Sequence, residues 1–487
     1  MEHPFSPEAC PPDLQPMMEQ NRIPEKVSHI HLIATCGSAM GALAAMLAEL
    51  GYRVTGSDQH VYPPMSTFLA SRNIPVSIGF SEANLNSSVD LVVVGNTVSR
   101  DNPEAEAVRK RKLNFCSMPQ AINHFIAAGK QRIVVTGTHG KTTTSALIAW
   151  ILHAAGLAPS FVIGGILNDF NGNCRLGAGS HIVLEGDEYD TAYFDKGPKF
   201  FHYPPHAAVL TAVEFDHADI YRDLAHVKAA FSRFVSAMAP DSHLVAAAAD
   251  AAVSEVLAGS RCQILRYGFG SADWGIGTVT VSPPWTEFVA RRNGREHGTF
   301  RTRLMGEHNL ANVLAALAVA DHVGIPAADA AAALERFSGV RRRQQVRGLK
   351  RGITVMDDFA HHPTAVRETL RAVRPFYPAG RLIAVFEPRT NSSMRRVFQD
   401  VYPTAFDEAD LICIRQPSLL SKIPEAERFS SEKLVKDLCS RGKEARFFEE
   451  TGSIVDFVAA EAREGDLVLV MSNGGFDNIH ERLLEAL

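Results

Sequence analysis

The stretch QRIVVTGTHGKTTTSALIAWIL, residues 131–152, guides the interpretation of the whole chain. Residues 133–135 are typical of a short buried strand, residues 137–144 of a tight polar loop, and residues 145–153 of a helix that ends near Gly156. A glycine loop between a strand and a helix suits phosphate, because backbone N–H groups and the positive end of the helix dipole meet one anion there. The sequence therefore predicts a phosphate-binding loop.

Individual residues of this loop have chemistry that suits a nucleotide. Gly137 and Gly140 leave room for phosphate oxygens, and Lys141 adds a full positive charge. The Thr142 hydroxyl is a suitable ligand for a phosphate-bound Mg²⁺. The spacing departs from the strict GxxxxGK[ST] pattern, which requires glycine where this chain has Val135. An ordinary turn between strand and helix, rich in threonine, is the alternative interpretation.

Composition is typical of a soluble protein with several domains. The 487 residues are enough for about three domains, and 46% are hydrophobic and 21% charged. A net charge of −5 argues against a nucleic-acid partner, and the sequence has no apolar run long enough for a membrane. The seven cysteines are scattered without a CxxC pair, which favours reduced thiols in a cytoplasmic protein.

Changes of pattern along the chain predict a flexible tail at 1–28 and domains at 29–127, 128–337 and 338–487. The tail has six prolines and lacks the apolar segment of a signal peptide. Strands alternate with helical segments in the remainder, which indicates an α/β fold. We expect a Rossmann-like N-terminal domain, a P-loop-type central ATPase domain and a doubly wound C-terminal domain.

The first predicted domain opens with the pattern of a nucleotide-binding βαβ unit at 30–58. Gly37 and Gly41 are present in its turn, but Ala34 stands near the position expected for the first glycine. Asp58 follows the second strand. Its carboxylate is expected either to accept a hydrogen bond from a ribose or uracil edge or to cap the turn that follows.

Polar loops follow three further predicted strands, at the carboxyl ends where ligands of α/β sheets bind. NTVSRDNPE begins at Asn96, EGDEYD begins at Glu185, and EFDHADIY contains His217. The last two loops are predicted to follow neighbouring strands. Since Mg²⁺ prefers hard ligands, we expect Glu185 and His217 to contact it directly or through water. A solvated acidic loop and a surface histidine are the alternative interpretation.

Two later segments suit other parts of a nucleotide. GEHNLAN places Asn309 and Asn312 near a helix start, and their amides match the adenine edge, although helix capping by Asn309 is the alternative. SGVRRRQQVRG, residues 338–348, concentrates four arginines, whose planar forks suit a γ-phosphate. A solvated charge run is the alternative for this segment.

The ordered set TGTHGKTTT, EGDEYD, EFDHAD, GEHNLAN, RRR and DDFAHHPT resembles the Mur ligase family of ATP-dependent amide-forming enzymes over about residues 29–487. The compact TGTxGKT loop is this family's own form, which accounts for the unusual spacing. Four stretches resemble the branch that acts on murein peptides: VYPPMSTFL (61–69), YFDKGPKFFHY (193–203), EPRTNSSM (387–394) and MSNGGF (471–476). The paired histidines of DDFAHHP also suit the branch that adds L-alanine.

The resemblance implies that ATP phosphorylates the lactyl carboxylate of UDP-N-acetylmuramate. The amine of the murein tripeptide L-alanyl-γ-D-glutamyl-meso-diaminopimelate then attacks the acyl phosphate, in peptidoglycan recycling. Addition of L-alanine to the same UDP-sugar, in peptidoglycan biosynthesis, is the alternative. The implied cofactors are ATP and Mg²⁺, and the protein is expected to be a monomer or weak homo-oligomer.

The resemblance also implies roles for individual residues. The implied catalytic residues are Lys141, Glu185, His217, Arg343 and His361. Nucleotide contacts are implied for Gly137, Thr138, Gly140, Lys141, Thr142, Thr143, Asn309, Asn312, Arg343 and Asp358. The implied Mg²⁺ ligands are Thr142, Glu185 and His217. UDP-sugar contacts are implied for Gly37, Ser38, Met40, Gly41, Asp58 and Asn96, and peptide contacts for Arg389 and Asn391.

Two other functional classes fit part of the sequence. The βαβ unit at 30–58 suits a nicotinamide oxidoreductase, but that activity leaves Lys141, Glu185 and the arginine run without a role. A non-catalytic sensor of UDP-sugar and ATP would keep the same motifs and would bind both ligands without releasing ADP.

Overall fold

The computed structural model describes residues 10–62, 65–418 and 420–487. Residues 1–9 of the predicted tail, and Pro63 and Pro64 of the stretch 61–69, lie outside these ranges. The first part of the chain contains strands β1 His29–Ile33, β2 Arg53–Asp58, β3 Val76–Ile78, β4 Leu91–Val94 and β5 Phe115–Ser117, with helices α1 Ser38–Glu49, α2 Met65–Ser71, α3 Pro103–Lys110 and α4 Met118–Ala121.

The middle part is the longest. Its strands are β6 Gln131–Thr136, β7 Ser160–Leu167, β8 Gly172–Arg175, β9 His181–Glu185, β10 Asp190–Ala192, β11 Asp195–Pro198, β12 Ala207–Leu210, β13 His243–Ala247, β14 Gln263–Phe269, β15 Trp274–Ser282, β16 Trp285–Arg292 and β17 Arg295–Thr302. Its helices are α5 Lys141–Ala154, α6 Leu224–Ala237, α7 Ala251–Val256, α8 Glu307–His322 and α9 Ala327–Arg336.

The last part contains strands β18 Gln345–Lys350, β19 Ile353–Asp358, β20 Leu382–Phe386, β21 Leu411–Arg415, β22 Glu444–Phe448 and β23 Leu467–Met471. Its helices are α10 Pro363–Val373, α11 Tyr402–Ala405, α12 Ser431–Ser440, α13 Thr451–Glu461 and α14 Ile479–Ala486. Among the described residues, none of the helices combines the length and the hydropathy needed to cross a membrane. All seven cysteines are described and none forms a disulfide.

Contacts divide the chain into two compact units. The first unit comprises the chain up to Val213, Lys228–Arg266 and Ala318–Pro326, and the second comprises Glu214–Val227, Tyr267–Leu317 and Ala327–Leu487. The boundaries 29–127, 128–337 and 338–487 stay a prediction.

The first sheet of the first unit confirms the Rossmann-like prediction. Its strand order is β3-β2-β1-β4-β5, and all of its strand pairs are parallel. The order reverses between β1 and β4, and in open α/β sheets ligands bind at the carboxyl ends of the strands at such a point. The glycine turn after β1 and the loop after β4 therefore meet at one place.

A buried carboxylate connects several elements around this sheet. Glu104, at the start of α3, is completely buried and accepts hydrogen bonds from Ser57 Oγ and Asn84 Nδ2, both at 2.5 Å. The Nε2 atom of His31 lies 3.5 Å from the same carboxylate. Burial alone raises the pKa of Glu104, but the contact with His31 and the hydrogen bonds from Ser57 and Asn84 outweigh burial and lower the pKa below the ordinary value of 4.5.

We expect acid to destabilise the protein through Glu104. Because its pKa is lower in the folded than in the unfolded chain, its contribution to stability is complete above about pH 4.5 and is lost as the pH falls through the folded pKa. Glu104→Gln should lower the free energy of unfolding by about 1–3 kcal/mol near neutral pH, and the difference should shrink in acid. Urea unfolding of the variant and of the unsubstituted protein, near neutral pH and in acid, measures this effect.

The control is Glu106→Gln, because Glu106 lies on the same helix but pairs with Lys110 at the surface. This substitution should change stability little. A pH-independent difference between Glu104→Gln and the unsubstituted protein would contradict the assigned ionisation.

The predicted flexible tail is wrong for residues 10–21. Residues Pro12–Gln20 form a 3₁₀ helix, and Leu14 and Met17 pack in a buried cluster with Tyr193 and Phe194. Asn21 is also buried, and its amide donates to the Phe115 carbonyl over 3.3 Å. The apolar residues between the prolines bury their side chains, which a composition-based prediction does not detect.

The central sheet of the first unit has the order β13-β12-β6-β9-β7-β8. Strand β6 pairs in parallel with β12 on one side and with β9 on the other. The prediction that the strands preceding Glu185 and His217 are neighbours is therefore wrong, because β6 separates them. The helix after the glycine loop begins at Lys141 instead of residue 145, so that its threonines lie in the first helical turn.

The second unit contains the antiparallel patch predicted at 260–305. Strand β14, whose last three residues fall in this unit, pairs in parallel with β15, and β15, β16 and β17 pair antiparallel. A second sheet has the order β18-β19-β23-β20-β21-β22, parallel except for β18. Four of its parallel strands match the predicted segments, which confirms the doubly wound C-terminal fold.

Candidate functional site

The loop after β6 has the backbone of an anion-binding turn. Gly137 has φ 126° and Gly140 has φ 78°, both in the region that favours glycine. A Cβ atom on Gly137 would lie 2.2 Å from Thr211 Oγ1 and 2.8 Å from the Ala212 nitrogen, so that a side chain does not fit there. Helix α5 starts directly after Gly140 and directs its N-terminal end at the loop.

Lys141 is held over this loop by oxygen atoms. Its ammonium donates to the carbonyls of Gly137 at 2.5 Å and Thr138 at 3.1 Å, and to Glu188 Oε2 at 2.7 Å. Burial works to lower the pKa of Lys141, but the Glu188 carboxylate outweighs burial and raises it. Lys141 is therefore a charged ammonium whose position is fixed by the loop.

Thr142 and Glu185 form a pair of hard oxygen ligands beside the same loop. Thr142 Oγ1 donates to Glu185 Oε1 over 2.9 Å, and the other carboxylate oxygen accepts from the Gly164 nitrogen at 2.7 Å. A hydroxyl and a carboxylate match the ligand preference of Mg²⁺. The two residues predicted as Mg²⁺ ligands, Thr142 and Glu185, thus lie together. Thr138 and Thr143, two further predicted nucleotide contacts, are buried.

A separate cavity of about 970 Å³ lies in the first unit. It is lined by five of the six residues predicted to contact the UDP-sugar, namely Gly37, Ser38, Met40, Asp58 and Asn96. Gly41 is not among the lining residues, and a Cβ atom on it would lie 2.4 Å from the Met65 sulfur. The lining also includes Asp187, Tyr189, Thr191 and Lys199, from the connection after β9.

Ala34 departs from a standard dinucleotide fingerprint, whereas Asp58 at the end of β2 matches its acidic position. Ala34 lines the cavity with φ 64°, a left-handed conformation that costs alanine about 1 kcal/mol and favours glycine. Asp58 accepts hydrogen bonds from the backbone nitrogens of Cys36 at 2.8 Å and His60 at 3.0 Å. It therefore caps the turn, as the alternative interpretation predicted, while it also faces the cavity.

Histidines and acids of the second unit cluster around the start of α10. His361 Nε2 lies 3.7 Å from Asp216 Oδ2, and the Asp216 carboxylate also accepts from the His217 nitrogen at 2.7 Å. Burial raises the pKa of Asp216, but the contact with His361 and the neighbouring His217 outweigh it and hold the pKa well below the usual range. His217 has φ 54°, which turns this loop sharply.

His362, next to His361, has a structural role. Its Nδ1 atom accepts from the Thr364 nitrogen over 3.2 Å and caps α10, while Nε2 lies 3.1 Å from the Phe215 carbonyl. Because a carbonyl oxygen accepts, the contact at Nε2 places a proton on that nitrogen. Thr364 Oγ1 in turn donates to Glu214 at 2.8 Å, which connects α10 to the loop that contains His217.

Asp358 and Arg343 are adjacent in the second unit. The buried Asp358 carboxylate accepts from the backbone nitrogens of Gln344 and Ala360, both at 2.8 Å. Burial raises the pKa of Asp358, whereas the Arg343 charge acts in the opposite direction. The Arg343 guanidinium lies 4.5 Å from the centre of the Phe359 ring.

Asn309 and Asn312 lie one turn apart in α8 and are both buried. Asn309 Nδ2 donates to the Met305 carbonyl at 2.9 Å and to Gln344 Oε1 at 3.1 Å, and its own oxygen accepts from Asn312 Nδ2 at 3.2 Å. Asn309 is the third residue of the helix, so the alternative that it caps the helix is wrong.

The loop that contains Arg389 is built on a buried acid. Glu387 is completely buried and accepts from Arg415 Nη1 and Ser472 Oγ, both at 2.7 Å. Arg389 lies 4.0 Å from the same carboxylate, and 36% of its side chain is exposed. The guanidinium passes directly over Gly474, where a Cβ atom would lie 2.3 Å from Arg389 Cδ. Arg389 is thus positioned but accessible.

The second predicted peptide residue, Asn391, already has a partner. Its amide donates to Asp219 Oδ2 over 2.9 Å, and the adjacent Ser392 Oγ accepts from the Ala218 nitrogen at 3.0 Å. These two bonds join the loop of Arg389 to the loop of His217 within the second unit.

Several residues of these sites do not appear among the sequence-based candidates. Glu188 lies three residues after Glu185, in an acidic loop where the sequence does not distinguish one carboxylate from another. Arg342 donates to the carbonyls of Ser472 at 2.6 Å and Gly474 at 2.7 Å, which shapes the SNGG loop. These contacts depend on tertiary structure.

Comparison with known proteins gives three family matches. The model "Mur ligase family, catalytic domain" matches residues 29–130, "Mur ligase middle domain" matches 135–320, and "Mur ligase, glutamate ligase domain" matches 342–474. Together these ranges cover most of the chain.

Individual relatives match over nearly their full length. The UDP-N-acetylmuramate–L-alanyl-γ-D-glutamyl-meso-2,6-diaminoheptandioate ligase of Escherichia coli K12 is 38% identical over 94% of this chain and 98% of its own. The UDP-N-acetylmuramate–L-alanine ligase of Caldanaerobacter subterraneus is 32% identical over 95% and 98%. A murein peptide ligase crystal structure from Psychrobacter arcticus has a TM-score of 0.70 and 33% identity, over 94% and 98%.

Proposed function

The chain belongs to the Mur ligase family, and we propose that it joins UDP-N-acetylmuramate to L-alanyl-γ-D-glutamyl-meso-diaminopimelate. It is accordingly an ATP-dependent amide-forming ligase. The observation that most supports this acceptor is the 38% identity over 94% of the chain to a ligase named for the same reaction. The position of Arg389 supports it independently, because a tripeptide with several carboxylates suits an accessible arginine fork.

The phosphate-binding loop after β6, in the first unit, suits the triphosphate of ATP. In this proposal Lys141 contacts the β- and γ-phosphates, and the backbone around Gly137 and Gly140 surrounds them. The transferred phosphoryl group is stabilised by charge and position, since no protein nucleophile is required. Arg343, Asn309, Asn312 and Asp358 stay predicted nucleotide contacts of the second unit.

The oxygen pair of Thr142 and Glu185 fits Mg²⁺. When bound, the ion neutralises charge on the phosphates. His217 stays a predicted metal contact. The Asp216 carboxylate lies beside His217 and His361, and its lowered pKa means that it is negatively charged, which suits a bound cation. In this proposal the side chains of the protein hold the lactyl carboxylate and the phosphates in place. The amine therefore attacks a positioned acyl phosphate.

We expect Glu185→Gln to raise the Mg²⁺ concentration needed for half-maximal ADP release by about tenfold or more. The substitution keeps the size of the side chain and one acceptor oxygen, but it replaces the other oxygen by an NH₂ donor and removes the charge that hard cations prefer. A Mg²⁺ titration of initial rates at saturating substrates measures the effect. Asp169→Asn, an acid on the turn after β7, is the matched control and should leave the titration unchanged. An unchanged titration of Glu185→Gln would contradict the metal role.

ADP release tests the function itself. ADP should form only when UDP-N-acetylmuramate and the tripeptide are both present, together with a product whose mass equals their sum minus water. ADP release without the tripeptide would contradict ligation, and binding of both ligands without ADP would favour the sensor alternative. Addition of L-alanine to the same UDP-sugar is the second candidate, because the Caldanaerobacter ligase is 32% identical.

A further inference from the structure

The lining of the cavity includes an ion pair between a buried lysine and a partly exposed aspartate. Lys199 Nζ lies 2.9 Å from Asp187 Oδ1 and 2.8 Å from Asp187 Oδ2, and only 9% of the lysine side chain is exposed. The ammonium also lies 5.7 Å from the centre of the Tyr189 ring. Among the described residues that line the cavity, Lys199 is the one lysine or arginine, whereas three are aspartates.

The segment that contains Lys199 is rigidly built. Thr191 Oγ1 donates to the Gly197 carbonyl over 2.9 Å, and the buried pair His202 and Asp195 is in contact at 2.8 Å. Strands β10 and β11 pair antiparallel between these bonds. An ammonium on such a support is positioned before a ligand arrives, which suits recognition of one defined anion.

The position of Lys199 along the chain indicates which anionic group of a ligand it would bind. The diphosphate of a nucleotide sugar suits the glycine turn and the N-terminal end of α1, on the wall around Gly37 and Ser38. Lys199 and Asp187 line the same cavity from the connection after β9, and Glu185 at the end of β9 and Glu188 in the connection contact Thr142 and Lys141. In the proposed reaction the lactyl carboxylate of a sugar bound in the cavity must reach the phosphate-binding loop, and this connection contributes residues to both sites.

We propose that Lys199 binds the lactyl carboxylate of the UDP-sugar and orients it for phosphorylation. This inference rests on the proposed function. An ammonium has three N–H donors, and the bonds to the two Asp187 oxygens leave one for the ligand. Asp187 keeps the ammonium in place, and the ligand carboxylate adds a second charge-assisted contact. Lys199 is thus a residue that positions the substrate and determines specificity for an acidic sugar.

Calorimetric titration of the full-length protein with two ligands tests this role. UDP-N-acetylmuramate has the lactyl carboxylate, and UDP-N-acetylglucosamine has the same nucleotide and diphosphate without it. Lys199→Met should weaken binding of the first ligand by about tenfold or more and of the second by less than about twofold. Lys199→Arg should restore most of the affinity. Lys196→Met, on the same hairpin but half exposed and paired with Asp190, should bind both ligands normally.

Three results would overturn the inference. Lys199→Met could lose no affinity for either ligand, it could lose affinity equally for both, or Lys196→Met could lose as much affinity as Lys199→Met. A double variant, Lys199→Met with Asp187→Asn, removes the partly exposed carboxylate that the single variant leaves unpaired, and it should show the same selective loss if the single variant folds poorly. If the unsubstituted protein binds neither UDP-sugar, the proposed function fails instead, which is a distinguishable outcome.

Discussion

Lys141→Ala should reduce ATP-dependent ligation by about three orders of magnitude or more. The ammonium is the charge that the loop after β6 holds in place, through the Gly137 and Thr138 carbonyls and the Glu188 carboxylate. Removal of a positioned charge from a phosphoryl-transfer site costs about 10²–10³-fold in rate for a single donor, and a full positive charge near the γ-phosphate contributes at least as much. Initial rates of ADP release at saturating substrates measure the loss.

The variant needs a control, because it leaves Glu188 without its buried partner. An unpaired buried carboxylate destabilises a protein by about 3–5 kcal/mol, and the rate would fall for that reason alone. The double variant Lys141→Met with Glu188→Gln removes both charges and should recover stability in thermal unfolding. It should still be inactive. Recovery of turnover in this double variant would contradict the role of Lys141 in phosphate binding.

Arg389→Ala should lower kcat/KM for the tripeptide by about 100-fold. The guanidinium is held over Gly474 near the buried Glu387, and about a third of it is accessible to a ligand carboxylate. A bidentate contact between arginine and carboxylate contributes about 1.5–3 kcal/mol, and misplacement of the amine adds a further loss in rate. The KM values for ATP and for the UDP-sugar should stay within about twofold. Steady-state kinetics with each substrate varied in turn measure the three constants.

Arg396→Ala is the matched control, since Arg396 follows in the same segment but is exposed and contacts the Ala426 carbonyl. It should leave all three constants unchanged. An equal loss of ATP, UDP-sugar and tripeptide use in Arg389→Ala would indicate a disturbed fold and would contradict an acceptor role.

The sequence was most informative where local pattern and backbone geometry coincide. The strand at 133–135, the glycine loop and the helix after it are all present, because short-range periodicity and glycine placement determine them. The predicted start of α5 is four residues too late. Threonine has a modest helix propensity, but the capping geometry of Gly140 starts the helix at Lys141.

Other features could not be predicted because distant parts of the chain produce them. Strand β22, Glu444–Phe448, is a charged edge strand whose residues are partly exposed, so that it lacks the apolar run of a buried strand. The segment 10–21 is ordered because Tyr193 and Phe194 cover its apolar residues. The pairing of Lys141 with Glu188, and of Asn391 with Asp219, likewise requires the tertiary fold.

The choice between two acceptors distinguishes this proposal from its nearest alternative. Rates of ADP release are measured with ATP, Mg²⁺ and UDP-N-acetylmuramate, and either the tripeptide or L-alanine as the amine. We predict that kcat/KM for the tripeptide exceeds that for L-alanine by about 100-fold or more, because the tripeptide has several carboxylates distant from its reacting amine, whereas L-alanine has one, directly beside the amine. Equal or preferred use of L-alanine would contradict the proposed function.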